Sequence, residues 1–493
     1  MTKWQQTSDV NPYSDRHSVP LDVGLYSPHP EVDEFIDEIC RRYTPEYMSK
    51  KRGRKGYDDP TRRAMRCLIL HLYQTWRTDP TLYTGMPFTK QAYKKGRLNK
   101  IHVSYRVVEV AKALINHGLL TKHGGYHNGA EGRVTRVRPT QLMHDIFEDR
   151  DMYPEMIRPH PTKSEVLFLY KDGKSVEYTD SRMTNHLRQE VQAYNDMMSR
   201  HHVGIFNREN DWSLIEYESD GKKYQTKVPT DQSKKYVVRI FNDDFMTGGR
   251  TYRHWPVQVH SEERKNITID GWYSVEVDFS AMHPAMLYAE EGIRLQQDPY
   301  ASPADLPGWG RDCAKVVMNA AINARTIDSA LQGAQKSIRD KLKKRFTIDE
   351  VRYGLDHVTA ANEPISSYLC SDMGRVLQAF DSTIMWGVLS VLTKRDIPAI
   401  PIHDSVIVRV QDEELIWPLL DKAYEQVTGQ RPYALDDDTD KQLFDADRRK
   451  LVAMFEYMVT SHPDVTDGYK QRLDRFMELN VKNGNPDYRA REW

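Results

Sequence analysis

The sequence predicts a mixed α/β fold of the α+β kind: a mostly helical amino-terminal domain, then a larger domain of strands and helices. Three observations lead there. Over residues 30–150 apolar positions recur every three or four residues, the period of helices with one buried face. From about residue 234 to 430, short runs rich in Val and Ile alternate with helical stretches. The length, 493 residues, exceeds what a single core usually organises, so two to four domains are expected.

Composition narrows the classes. Charged residues make up 29% and hydrophobic ones 39%, as in globular chains, and the formal net charge is −1. Whole-chain charge therefore names no partner, although the first third is locally basic. Cys40, Cys67, Cys313 and Cys370 lie far apart and form no Cys-x-x-Cys pair. Neither a disulfide framework nor a zinc cluster is expected, and a reducing, cytoplasmic setting is. No run of 18 apolar residues and no signal-like start is visible, so no membrane partner is expected.

Taken in order, residues 1–28 are polar without a helical stripe and read as a flexible arm. Residues 29–150 read as a basic nucleic-acid-binding domain. Helices are expected over 31–43 and 61–76, and an amphipathic helix from Ser104 is stopped by Gly118. Strand-like segments at 119–122 and 133–138 flank a Gly-rich loop. Helix, glycine, then an arginine-rich hairpin is a winged-helix-like pattern. Lys51 and Arg52 lie in the run Lys50–Lys55, and Arg62, Arg63, Lys94, Lys95, Arg97, Lys100 and Arg106 follow. With the hairpin's Arg133, Arg136 and Arg138, and with Tyr57, Tyr93, Tyr105 and Tyr126 interleaved, they suit nucleic-acid phosphates. A generic basic surface, or a winged helix that binds protein, is the plain alternative. Residues 150–165 read as a linker rich in proline and charge, and a helix over 180–200 starts at the cap Asp180-Ser181. Residues 431–493 open with the acidic loop 436–440 and read as a helical C-terminal extension.

Two aspartates end strand-like runs. Val275-Glu276-Val277 leads into Asp278, and His403-Asp404-Ser405 sits between Ile402 and Val406. Singly, each Asp reads as an ordinary cap or turn residue. Together they suggest two carboxylates at the ends of buried strands, where a divalent cation is the natural partner. Two Mg²⁺ ions held by Asp278 and Asp404, with Mn²⁺ as a substitute, suit an in-line phosphoryl transfer. Between them, Arg311, Lys315, Asn319 and Asn323 recur every four residues and share one helix face. Arg311 and Lys315 suit a triphosphate, and the asparagines suit sugar and base. A solvated basic face is the alternative, but the intervening Ala and Ile favour a packed helix with one polar seam. Thr247-Gly248-Gly249-Arg250 allows close backbone approach beside an arginine suited to a nucleic-acid backbone.

In this order the blocks resemble the palm and fingers of family A DNA polymerases and phage-type single-subunit RNA polymerases, which share the right-hand polymerase fold. Those families carry a Thr-Gly-Arg segment, motif A (Asp-Tyr-Ser), motif B (Arg-x₃-Lys-x₃-Phe-x₃-Tyr-Gly) and motif C (His-Asp-Glu or His-Asp-Ser). The counterparts here are Thr247–Arg250, Asp278-Phe279-Ser280, Arg311-x₃-Lys315 and His403-Asp404-Ser405, with a helix expected over 365–388 before the last. The resemblance covers about residues 240–415. It implies a palm at 241–430 with fingers inserted at about 285–375, and a linker with a thumb-like helical segment at 151–240. It implies a template-directed nucleotidyltransferase with Asp278, Asp404 and Lys315 catalytic. Arg311, Lys315, Asn319, Asn323 and His283 would bind the nucleotide, Arg250 the primer-template, and His403 and Ser405 would support the motif C turn. The implied partners are DNA template and primer and nucleoside triphosphates, with RNA as an alternative primer or product.

The departures bear on the sugar. Asn319 stands where those families have a base-stacking aromatic or Met, Asn323 where they have the ribose-sensing Tyr, and His283 where family A has Glu. Met282-His283-Pro284 is closer to the Leu-Tyr-Pro of family B. The usual rule against ribose is therefore not carried over, and measurable rNTP use is expected. With no exonuclease signature, a replicase without proofreading, of a bacterial plasmid or phage kind, is the expected function. A single-subunit RNA polymerase or primase-polymerase is the alternative. An inactive replication initiator and a metal-dependent hydrolase are the rivals. The initiator leaves the conjunction of Asp278, Asp404, Arg311 and Lys315 unexplained, and the hydrolase leaves the Arg311–Lys315 face unexplained.

Overall fold

A computed structural model describes residues 18–48, 59–127, 132–219, 222–433 and 459–482. The chain is a mixed α/β protein. Its amino-terminal unit is built on α1 (Pro30–Tyr43), α2 (Pro60–Thr78) and α3 (Arg106–Asn116). Pro30 and Pro60 open two of these helices at the position where a missing N–H is harmless. Asp59 caps α2 by accepting from the Thr61 and Arg62 amides. Gly118, at φ 73°, turns the chain out of α3. Phe35, Ile36 and Ile39 of α1 pack with Leu68, Leu72, Val107 and Leu114 in one buried core.

A four-stranded sheet lies beside these helices, in the order β1–β3–β7–β4, where β1 is Ser18–Pro20, β3 Tyr83–Gly85, β4 Leu120–His123 and β7 Arg136–Pro139. β4 and β7 are antiparallel with Leu120 opposite Pro139. β5 (Tyr126–His127) pairs with β6 (Gly132–Arg133) beyond them, and α4 (Gln141–Glu148) follows β7. Two expectations are corrected here. Residues 18–28 are not a loose arm, because β1 joins β3 in parallel and β2 (Leu25–Tyr26) pairs with β8 (Arg158–Pro159). The arm is poor in apolar residues, yet Leu25 is buried in the core. Nor are residues 150–165 a spacer, because Met152, Met156 and Ile157 are buried in that same core.

The second unit has two sheets. One runs β10–β9–β14–β15, with β9 Leu167–Lys171, β10 Lys174–Val176, β14 Val238–Asn242 and β15 Gly248–Tyr252. The other runs β11–β16–β17–β19–β18, with β11 Val203–Ile205, β16 Ile267–Ile269, β17 Trp272–Asp278, β18 Ala399–Ile402 and β19 Ser405–Arg409. β12 (Trp212–Ser219) and β13 (Lys222–Pro229) form a separate ribbon, and α6 (Ser261–Arg264) is one turn. Four longer helices complete the unit: α5 (Arg182–Ser199), α7 (Met282–Glu290), α11 (Gly374–Lys394) and α12 (Glu413–Thr428). Leu167, Val191, Tyr194, Val275, Ile384, Val406 and Leu420 share its core. α5 is a core helix through Val191, Tyr194, Met197 and Met198. Its start is the capping box of Ser181 and Thr184.

α8 (Arg311–Asn323), α9 (Ile327–Ser337) and α10 (Ile348–Ala361) enclose a smaller core around Trp309, Cys313, Val317, Leu331 and Leu355. The single helix expected over 365–388 is broken. A 3₁₀ segment, Glu363–Tyr368, precedes α11, and Cys370 and Asp372 between them have φ of 59° and 61°, which no α-helix continues through. Among the described residues, only α11 is long and apolar enough to cross a membrane. It packs on the sheets through Ile384, Met385, Val388 and Leu389, and it buries Asp381 and Ser382. α13 (Asp467–Lys482) joins the units: Tyr469 and Leu473 pack on Phe206 and Tyr273, and Leu479 enters the amino-terminal core. The acidic loop 436–440 lies outside the described residues.

Candidate active site

β17 and β19 are antiparallel neighbours, with Asp278 opposite Ser405. Asp404 is the residue before Ser405, so both carboxylates stand at one end of one sheet. β18 and β19 are joined by the two-residue turn His403-Asp404. Such a turn needs a left-handed first residue, and His403 supplies it at φ 55°. After β17 the chain turns through Ala281, at φ 48°, into α7. Ser405 supports the turn by donating to Glu276 Oε1 at 2.6 Å, and Arg264 Nε holds Glu276 Oε2 at 3.1 Å. Burial pushes the His403 imidazole below its ordinary range, the Arg250 charge adds to this, and Asp404 partly offsets it.

The α8 face is as spaced in the sequence. Arg311, Lys315, Asn319 and Asn323 are exposed, while Cys313, Ala314, Val317, Met318, Ala321 and Ile322 are buried. Arg311 Nε pairs with Asp298 Oδ2 at 2.6 Å. Its guanidinium carbon is 4.9 Å, and Lys315 Nζ 6.0 Å, from the centroid of the Tyr300 ring. The buried Tyr300 phenol also feels the carboxylates. Burial pushes its pKa up, Arg311 opposes, and Asp298, Asp404 and Asp278 add to the rise. Tyr300 therefore packs against the helix cations within electrostatic reach of the two aspartates, and no sequence signal marks it. Further along the face, Asn323 Nδ2 donates to the Asn319 carbonyl at 2.8 Å. An open cleft of about 800 Å³ begins there, lined by Asn319, Asn323, Arg325, Thr326, Asp372 and Arg375.

Arg250 and His283 turn inward. Both meet Asp381 of α11, which is fully buried: Arg250 Nε lies 3.1 and 3.0 Å from its two oxygens, and His283 Nε2 lies 2.9 Å from Oδ2. A buried carboxylate without partners costs several kcal/mol, which explains why Arg250 and His283 gather on it. Ser382 bonds the Gly249 carbonyl, and Arg239 reaches Gly249 O at 2.8 Å and Ser382 Oγ at 3.1 Å. Asp381, Ser382 and Arg239 were missed in the sequence. The one signal for the two α11 residues is a polar triplet, Asp381-Ser382-Thr383, between apolar stretches of the helix, and Arg239 has none.

The amino-terminal basic residues divide. Lys51 and Arg52 lie outside the described residues. Arg133 is placed only as backbone in β6. Arg136 is a correction: it is fully buried, with its guanidinium carbon 5.1 Å from the Tyr83 ring centroid, and no nucleic acid reaches it. Arg138 is half-buried, 4.8 Å from the same centroid, and donates to the Thr81 carbonyl at 3.3 Å. Arg62 pairs with Asp33 and Asp37, and Arg97 and Lys100 with the buried Glu165. Lys94 and Lys95 stay exposed.

Among the described residues no group of three or more His, Cys, Asp or Glu is gathered for a metal ion. With Glu276 and Asp381 engaged by arginines, the donor set at the strand ends is Asp278 and Asp404. Such a pair suits Mg²⁺, which takes one or two carboxylates and completes its shell with phosphate oxygens and water. No protein-family model matches the chain, and no curated protein does.

Proposed function

We propose that the chain is a template-directed nucleotidyltransferase of the right-hand polymerase kind, resembling family A DNA polymerases. The observation that carries this reading is one juxtaposition. Asp278 and Asp404 share a sheet end, and the Arg311–Lys315 face of α8 meets the same Tyr300 that their charges act on. In this reading the five-stranded sheet is the palm and the α8–α10 cluster the fingers. Lys315 and Arg311 neutralise the triphosphate and orient its leaving group. Asn319 and Asn323 line the path to the cleft, where base and sugar would lie. The turn residues His403 and Ser405 hold Asp404 in position. Asp278 and Asp404 would hold two Mg²⁺ ions, or Mn²⁺, which supply electrostatic stabilisation of the entering and leaving oxygens.

The amino-terminal unit, with its helices and the β4–β7 hairpin, suits duplex DNA through exposed lysines such as Lys94 and Lys95. A replicase of plasmid or phage type in a bacterial cytoplasm fits these parts. The decisive experiment supplies the protein with Mg²⁺, primed or unprimed DNA templates, and dNTPs or rNTPs separately. Incorporation that requires template supports the reading, and the lanes separate DNA polymerase, RNA polymerase and primase. Absence of incorporation in every lane, with DNA binding intact, would favour an inactive initiator.

A further inference from the structure

A groove of about 720 Å³ opens where the amino-terminal unit meets the β12–β13 ribbon. Its walls come from the end of α2, from β7 and α4, and from the ribbon, and neither strand-end aspartate lines it. Two indoles do, Trp76 of α2 and Trp212 of β12, each half-buried. Core rings seat the first: its centroid lies 5.4 Å from that of Phe147 and 5.7 Å from that of Tyr73. The His144 imidazole, which also lines the groove, lies 5.7 Å from Trp76 at 30°, nearly parallel to it. Lys227 braces the second indole, with Nζ 4.3 Å from the ring centroid.

The charge around the rings is mostly positive. Arg77, Arg138 and Lys227 line the groove against one carboxylate, Glu148. Arg77 Nη2 is held by the buried Asp211 at 3.3 Å, and Arg138 Nη1 by the Thr81 carbonyl at 3.3 Å. Among the described residues neither Arg138 nor Lys227 pairs with a carboxylate, so both charges are available to an outside anion.

We propose that this groove binds single-stranded nucleic acid, with bases stacked on Trp76 and Trp212 and phosphates met by Arg138, Lys227 and Arg77. An indole offers a flat face on which any unpaired base can stack, and cations beside it follow the backbone. A duplex keeps its base faces inside the stack and presents only edges and phosphates, so rings set in a groove do not reach them. An acidic protein would match the cations but leaves the two indoles without a role, whereas a single strand uses both. The site goes beyond the polymerase reading and needs neither Asp278 nor Asp404. Exposed lysines such as Lys94 and Lys95 suit duplex phosphates, and the groove suits the strand that is not paired.

The test uses the full chain without Mg²⁺ or nucleotides. Fluorescence anisotropy measures binding of oligothymidylate and oligouridylate of about 12 nucleotides, a length such grooves span, and of a duplex of equal length. Polyglutamate is the competitor that carries charge without bases. Trp212→Ala should weaken single-strand binding about tenfold, the loss of one base stack, and leave duplex affinity within about twofold. Lys227→Gln should reduce the slope of log K against log salt for the single strand by about 0.7. Tight binding in either single-strand arm that falls in these variants supports the groove, and the tighter arm names the sugar. No single-strand binding by wild type overturns it, and so does binding unchanged in both variants. A loss in Trp212→Ala that is as large for the duplex also overturns it, and so does displacement by polyglutamate as effective as by an unlabelled strand. Trp76→Ala should act like Trp212→Ala; if it does not fold, Trp212→Ala on the ribbon decides alone. Asp278→Ala should bind single strands as wild type does. A chain that binds them yet incorporates no nucleotide therefore loses the polymerase reading and keeps this site.

Discussion

Asp278 and Asp404 are like charges brought to one sheet end, an arrangement that makes sense around cations. Replacing either with Ala should lower incorporation by about a hundredfold or more, the loss of a ligand whose stabilisation is worth several kcal/mol. The fold should survive, because neither side chain is fully buried. Thermal melting together with primer extension checks both halves, and wild-type rates in either variant would end the metal assignment. Lys315→Ala should act differently. The residue is exposed on α8, so stability should change by less than about 0.5 kcal/mol while KM for the nucleotide rises. These residues were legible because each sits at a recognisable position, an apolar strand's end or a four-residue repeat. Asp381 was not, because a partner 131 residues away in sequence decides its role. Arg136 misled for the same reason. Its alternating neighbours give a strand, but the packing of Tyr83 against it is a tertiary fact.

At the scale of elements, α8 followed its sequence closely, since small apolar residues on three sides let it bury everything except one seam. The break before α11 did not show, because positive φ at Cys370 and Asp372 is imposed by packing and not by glycine. That break brings Gly374 against Asn323: a Cβ at Gly374 would lie 1.9 Å from Asn323 Oδ1. Gly374→Ala therefore sets two effects against each other. Alanine favours the helix by up to about 1 kcal/mol, while Asn323 must move. Net stability should stay within about 1 kcal/mol of wild type. Nucleotide KM should rise about tenfold if Asn323 faces the substrate, a shift that steady-state kinetics with saturating template resolves. A KM unmoved by the substitution would remove Asn323 from the pocket. The amino-terminal unit calls for charge substitution and not truncation, because Met152, Met156, Ile157 and Leu479 share its core. Lys94→Glu with Lys95→Glu should weaken duplex binding and reduce the slope of log K against log salt by about two. An unchanged slope would put the phosphate contacts elsewhere.

Across the whole molecule, buried imidazoles tie stability to pH. His71 in the amino-terminal core and His254 beside β18 are each pushed down to about 4, and His202 near α13 to about 3. Burial is the main cause in all three; Lys234 adds to it at His71 and Lys235 at His202. Unfolded, each imidazole takes a proton near pH 6.5, so below that pH the unfolded chain binds more protons than the folded one. Stability must then fall as pH drops from 6.5 towards 4, by about 3 kcal/mol for a shift of this size at one imidazole. Asp231, pushed up to about 6 by burial, works the other way between pH 6 and 3.8, and Glu155 does likewise. Glu165 and Asp270, held below the ordinary carboxylate range by Lys100 with Arg188 and by His201 respectively, extend the fall to pH below their unfolded values of 4.5 and 3.8. The melting temperature should therefore decline steadily between pH 6.5 and 4.5. His254 is the residue to isolate, since its Nε2 lies 2.7 Å from the Pro401 carbonyl and its Nδ1 side is sealed. His254→Gln keeps a donor for that carbonyl and removes one titrating group. Its melting temperature at pH 7.5 should lie close to wild type, and its decline towards pH 4.5 should be shallower by the share of one proton. A decline as steep as that of wild type would mean that His254 already carries a proton in the folded chain.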